Sequence, residues 1–211
     1  MSVELRNQIG REEFDYPTLM SALAAYASPR DRVTALLRSG TIVRVKKGLY
    51  VFGEAYRKTP YCRELLANLI YGPSMVSLDY ALGYHGLIPE RVEALTSVTT
   101  GRARRFETPL GIFVYRPTPN LSVGVERIED NGSAFLMAAP ERALADRLRD
   151  DRRDGVRTQR EMERYLREDL RLDAGGLAAM DAGVMEELAD ALQSRKVRLC
   201  AALVRSLGRR R

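Results

Sequence analysis

The 211 residues include one histidine, two cysteines, four lysines and no tryptophan. Cys62 and Cys200 are isolated, form no CxxC pair, and with His85 make no zinc set of usual spacing. No metal or cofactor is expected, and both thiols read as reduced. His85 stands with Tyr80 and Tyr84 in a segment that reads as helix. A packing or hydrogen-bonding role is expected of it, since a general base needs an oriented partner and a pocket. Lysines occur only at positions 46, 47, 58 and 196. None accompanies Glu107, Glu126 or Asp130, the acids that a metal-dependent nuclease would use to hold magnesium. No GxxxxGK[ST] run is present, no GxGxxG follows a strand, and no internal repeat occurs. The chain is read as not being an enzyme. Long apolar runs are also missing, and the opening MSVELRNQIGREEF has no signal-peptide core, so a soluble cytoplasmic protein is expected.

What the chain does have is arginine. Lysine and arginine together number 34 against 28 acids, giving a net charge of +6 and a pI near 9.5. Such a balance favours anionic partners, chiefly nucleic acid, because cations that neutralise phosphates release counterions. Charge of that size could equally serve solubility. It gathers in Ser28–Tyr50, SPRDRVTALLRSGTIVRVKKGLY. Ser28 reads as an N-cap, Pro29 as the first helical residue, and Asp31 as the third residue of a capping box. Val33, Leu36 and Leu37 share one helical face, and Gly40 stops the helix. Ile42, Val43, Val45, Leu49 and Val51 then flank a Lys47-Gly48 turn. A short cationic helix followed by a cationic hairpin is the layout of a winged helix-turn-helix, in which the helix enters the major groove and the wing meets the backbone or the minor groove.

Helices over 3–13 and from Tyr16 complete a three-helix unit before the hairpin, and Gly53–Pro60 reads as a linker. The expected fold class is α+β, with a winged helix-turn-helix over 1–58 and a mixed α/β domain over 59–211. The second domain begins with helical YCRELLANLIYG and SLDYALGYHGLIPE, the latter with Ser77 as a cap. It continues through a β-rich block over 92–138 with a turn at Asp130-Asn131-Gly132, and ends in helices over 140–207. One of these is expected over 184–207, with AGGLAAMDAG before it as a loose connection. Residues 141–190 mix acids and arginines and read as solvated helix faces. Two further basic groups stand out. Arg102, Arg104 and Arg105 follow Gly101 at a hairpin tip, with Arg116 one strand later, where guanidinium groups could clamp phosphate or simply be solvated. Arg195, Lys196, Arg198, Arg205 and the Arg209–Arg211 tail mark a basic final helix, suited to the helix dipole, to solubility, or to RNA or DNA.

The run MVSLDYALGYHGLIPERVEALTSVTTGRARRFETPLGIFVYR, Met75–Arg116, resembles the central signature of the AbiEi family, the antitoxins of type IV toxin–antitoxin (abortive infection) systems. RVKKGLYVFG, APERALADRL at 139–148, DLRLD at 169–173 and SRKVRLCAAL at 194–203 also fit that family's pattern. The resemblance implies an N-terminal winged helix that represses its own operon by binding inverted repeats in promoter double-stranded DNA. It also implies a C-terminal domain that counters a nucleotidyltransferase-type toxin without forming a stable complex. Carried onto this sequence, Arg30, Arg32, Thr34 and Arg38 would face the major groove. Arg44, Lys46 and Lys47 would contact phosphate from the wing, with Arg102, Arg104 and Arg105 as a second basic site. The alternatives are an interaction protein that neutralises a toxin by direct contact and, further off, the metal-dependent nuclease.

Overall fold

A computed structural model describes residues 2–152 and 155–209. The fold is mixed α+β. Its first part runs α1 (Ser2–Ile9), β1 (Glu13–Asp15), α2 (Tyr16–Ala22), α3 (Pro29–Arg38), β2 (Ile42–Lys46) and β3 (Leu49–Phe52). The Asp15 side chain caps α2 by accepting from the Thr18 N–H at 2.9 Å, with Pro17 in the first turn. Ser28 behaves otherwise: its side chain makes no cap bond, so the expected capping box of α3 is not formed and the prolyl start stands without it. Val33 and Leu36 supply the buried face of α3, and Gly40, at φ +69°, ends it. Lys47-Gly48 turns the hairpin, with Gly48 at φ +88° and a bulge between Arg44 and Lys46. β1 joins the far side of β3 with Glu13 opposite Val51, giving an antiparallel sheet of order β1-β3-β2. The sequence pattern missed this strand, because three residues are too few to show alternation.

The remainder runs α4 (Arg63–Ile70), β4 (Ser74–Val76), α5 (Leu78–Tyr84), β5 (Leu95–Thr99), β6 (Arg104–Thr108), β7 (Gly111–Pro117), β8 (Val125–Asp130) and β9 (Ser133–Ala138). Then follow α6 (Pro140–Asp150), α7 (Gln159–Arg164, widening into a π turn over Tyr165–Asp169), α8 (Ala174–Ala179), α9 (Ala182–Ala191) and α10 (Arg195–Gly208). The six strands form one sheet of order β6-β7-β5-β4-β9-β8, with β5–β7 and β4–β9 parallel and the other pairs antiparallel. Two C-terminal expectations are corrected. The single helix over 184–207 is two helices, broken where Gln193 adopts φ +51° and Ser194 caps α10. The AGGLAA stretch is helical rather than loose, because the Asp173 carboxylate accepts from the Gly176 N–H at 2.6 Å.

Two apolar cores result. Leu5, Ile9, Phe14, Leu19, Leu23, Val33, Leu36, Ile42, Tyr50 and Phe52 form the smaller. Val45, Leu49 and Val51 come from the same hairpin but belong to the larger core with Leu66, Ala67, Ile70 and the second sheet. Alternation along β2 and β3 thus gives each core one face of the first sheet.

Candidate nucleic-acid interface

Packing Val33 and Leu36 inward leaves Arg30, Thr34 and Arg38, each one helical turn from the next, exposed along the opposite side of α3. The Thr34 hydroxyl donates to the Arg30 carbonyl at 3.3 Å. Asp31, Thr34, Ala35, Arg38 and Ser39 line a shallow groove on this side. Arg32 is turned away from it: half-buried, its guanidinium lies 5.4 Å from the centre of the Tyr26 ring. In the hairpin, Arg44 and Lys47 are exposed, whereas Lys46 is half-buried and its ammonium donates to the carbonyl of Ile70 at the end of α4. Burial lowers the Lys46 pKa. Of the three expected wing cations, Lys46 is thus committed to a bond within the fold.

Arg102, Arg104 and Arg105 are all exposed, but not at a hairpin tip: β5 and β6 do not pair and flank β7 instead. Arg102 thus lies in the connection between them and Arg104 and Arg105 open β6, where the Arg105 Nε–H lies 3.1 Å from Glu107 Oε1. This connection and the β2–β3 hairpin both touch the end of α4. Lys46 reaches Ile70; the adjacent Tyr71 packs on Phe106 and Tyr115, with ring centres 6.0 and 5.3 Å apart. Gly101 sits so close to the Tyr71 hydroxyl that a Cβ there would lie 2.6 Å from it. Ile70 and Tyr71, at the end of α4, thus lie between the hairpin and the segment that carries Arg102, Arg104 and Arg105.

The other candidates disperse. Arg116 pairs with Asp150 at 3.5 Å. On α10, Arg198 pairs with Asp190 at 2.6 Å, Arg205 pairs with Glu186, and Lys196 donates to the Asp151 carbonyl at 2.6 Å. Within the tail, Arg210 and Arg211 lie outside the described residues. Glu107 is on β6 while Glu126 and Asp130 are on β8, the opposite edges of the six-stranded sheet, so the acids of the nuclease alternative do not converge. Among the described residues, no three His, Cys, Asp or Glu side chains gather closely enough to hold a metal ion. His85 Nε2 lies 2.8 Å from the Ala138 carbonyl, a packing and hydrogen-bonding role.

Sequence reasoning missed two polar groups. Glu12 and Glu13, buried on and beside β1, grip the segment that leads into α4. Glu12 Oε1 accepts from Arg6 Nη2 at 2.5 Å and from the N–H groups of Lys58 and Thr59 at 2.9 and 3.1 Å, and Glu13 Oε1 accepts from Cys62 N–H at 2.5 Å. Arg142 and Asp146, fully buried on α6, pair at 2.9 Å where solvated faces were expected. Their i,i+4 spacing was the available signal.

No family model and no curated protein sequence matches the chain. The fold is similar to that in the crystal structure of the RV2827C protein from Mycobacterium tuberculosis, with a TM-score of 0.61 at 15% identity, covering 97% of this chain and 77% of that one.

Proposed function

We propose that residues 1–58 act as a winged helix-turn-helix on double-stranded DNA, and that the protein is a transcriptional autorepressor and antitoxin of the type IV, AbiEi-like kind. The observation that carries the DNA-binding reading is the exposed Arg30–Thr34–Arg38 stripe, with Arg44 and Lys47 free on the hairpin that follows. A helix presenting two guanidinium groups and a hydroxyl on its outer side has the chemistry to read base edges, while hairpin cations hold phosphate. Arg102, Arg104 and Arg105, also exposed, are the second basic site of this reading. The antitoxin half of the reading is supported by the sequence resemblance over Met75–Arg116. Promoter inverted repeats are the expected operator, and the functional partner is a nucleotidyltransferase-type toxin that need not be held in a stable complex.

A two-part cell assay tests both halves. Expression of the chain should silence a reporter driven by its own promoter, and the double variant Arg30→Ala/Arg38→Ala should relieve that silencing. Co-expression should restore growth to cells making a nucleotidyltransferase-type toxin encoded beside the gene. Silencing without rescue would leave a plain regulator. Rescue together with a toxin complex that survives high salt would favour neutralisation by direct contact.

A further inference from the structure

The six-stranded sheet ends on β8, whose outer edge pairs with no other strand among the described residues. β8 and β9 form a two-residue hairpin with Asn131 and Gly132 at positive φ, and their register runs without a bulge from Asp130↔Ser133 to Val125↔Ala138. In such a hairpin the pair flanking the turn is hydrogen-bonded, so Glu126, Ile128 and Asp130 bond inward to β9. The backbone N–H and C=O groups of Val125, Arg127 and Glu129 therefore point out of the edge. Their side chains share a face with Leu136, the register partner of Arg127. Val125 is 37% exposed and Leu136 42% exposed, high values for apolar residues. Asn68 of α4 holds the Leu136 backbone through both its amide groups, at 2.6 and 3.3 Å, and the next residue, Leu69, is 46% exposed.

We propose that this edge joins β8 of a second copy of the chain about a twofold axis, continuing the sheet from one copy into the other. Charge selects both the occupant and the register. A twofold contact brings the strand against itself antiparallel, and residues on the same face must oppose one another. With Ile128 opposite Ile128, Arg127 of each copy faces Glu129 of the other, and these are the residues whose backbone groups point outward. Val125 and Leu136 share the face of these pairs, Val125 opposite the turn residue Asn131 of the other copy and Leu136 one strand in from Arg127. A shift in one direction sets Arg127 against Arg127, and in the other Glu129 against Glu129. The charges on β8 thus guard the edge against generic pairing while admitting this one register. Arg127 and Glu129 already pair within the strand, so association exchanges partners rather than stripping free charges of water. Glu126 opposite Asp130 is the unfavourable contact and keeps the dimer weak.

Sedimentation equilibrium of the full chain without DNA, from micromolar to near-millimolar concentration, tests this. A monomer–dimer equilibrium is expected. Arg127→Glu should raise its dissociation constant about tenfold, because two opposite-charge pairs become like-charge pairs. The swap Arg127→Glu/Glu129→Arg should restore association, and Glu126→Lys should tighten it. All three positions are exposed, so circular dichroism should be unchanged. A wild type that stays monomeric across the range overturns the proposal, as does an Arg127→Glu protein that dimerises unaltered or a swap that restores nothing. The outcome is independent of the DNA-binding reading, since no DNA is present.

Discussion

Arg142 has no solvent exposure, yet its guanidinium is answered on every side. Nε–H donates to Asp146 Oδ2 at 2.9 Å, Nη1 to the Val123 carbonyl at 2.8 Å, and Nη2 to Thr118 Oγ1 and the Asn120 carbonyl at 3.1 and 2.6 Å. The Ser77 hydroxyl completes the group by donating to Asp146 Oδ2 at 2.7 Å. Burial pushes the Asp146 pKa up, and Arg142 is the charge that opposes this. Arg142→Ala would strand that carboxylate and is expected to cost about 3–5 kcal/mol by urea denaturation, whereas Arg142→Met/Asp146→Leu should cost less. The pair escaped notice in the sequence because apolar periodicity assigns charged positions to solvent. A buried pair one turn apart breaks that assumption without leaving an apolar trace. Glu13 gives a prediction with pH. Burial raises its pKa above the ordinary 4.5, so the folded protein holds the proton more tightly than the unfolded chain. Its contribution to stability is full below 4.5 and is lost as pH rises through the folded value. Glu13→Gln keeps an acceptor for the Cys62 N–H. It should flatten the rise in stability seen on acidification toward pH 4.5, read from denaturation midpoints across that range.

Among the elements, α3 and its hairpin lie where apolar spacing and the Lys47-Gly48 turn put them, because both signals are local. What the spacing could not show is the use made of each cation. Lys46 and Lys47 are adjacent in sequence, yet one bonds to the end of α4 and the other faces water. They should separate cleanly in experiment. Lys47→Ala should lower the slope of log affinity for DNA against log salt by about one and weaken all sequences alike. Lys46→Met should lower thermal stability and leave that slope unchanged. The break between α9 and α10 was hidden for a related reason: Gln193 takes a left-handed conformation that glycine or asparagine usually signals. α7 is a simpler case. Thr158 and Glu161 form a complete capping box, so Thr158→Ala should cost about 1 kcal/mol.

At the scale of the molecule, the first sheet belongs to two cores at once. Val45, Leu49 and Val51 join the larger core while Ile42, Tyr50 and Phe52 join the smaller, and Glu12 and Glu13 tie the intervening segment down. The chain read in order suggests two units with a linker near residue 58, since composition changes there. The side chains that unite them lie on alternate residues of one hairpin, a pairing that no local pattern reveals. The expected consequence is a single unfolding transition, with far-ultraviolet dichroism and tyrosine fluorescence changing together. The central claim, sequence-specific DNA binding through α3, is tested most directly by fluorescence anisotropy against the chain's own promoter and a scrambled duplex, at two salt concentrations. Binding about a hundred-fold tighter to the promoter, steeply salt-dependent and lost in Arg30→Ala/Arg38→Ala, is the predicted result. Equal and weak binding to both duplexes would contradict it.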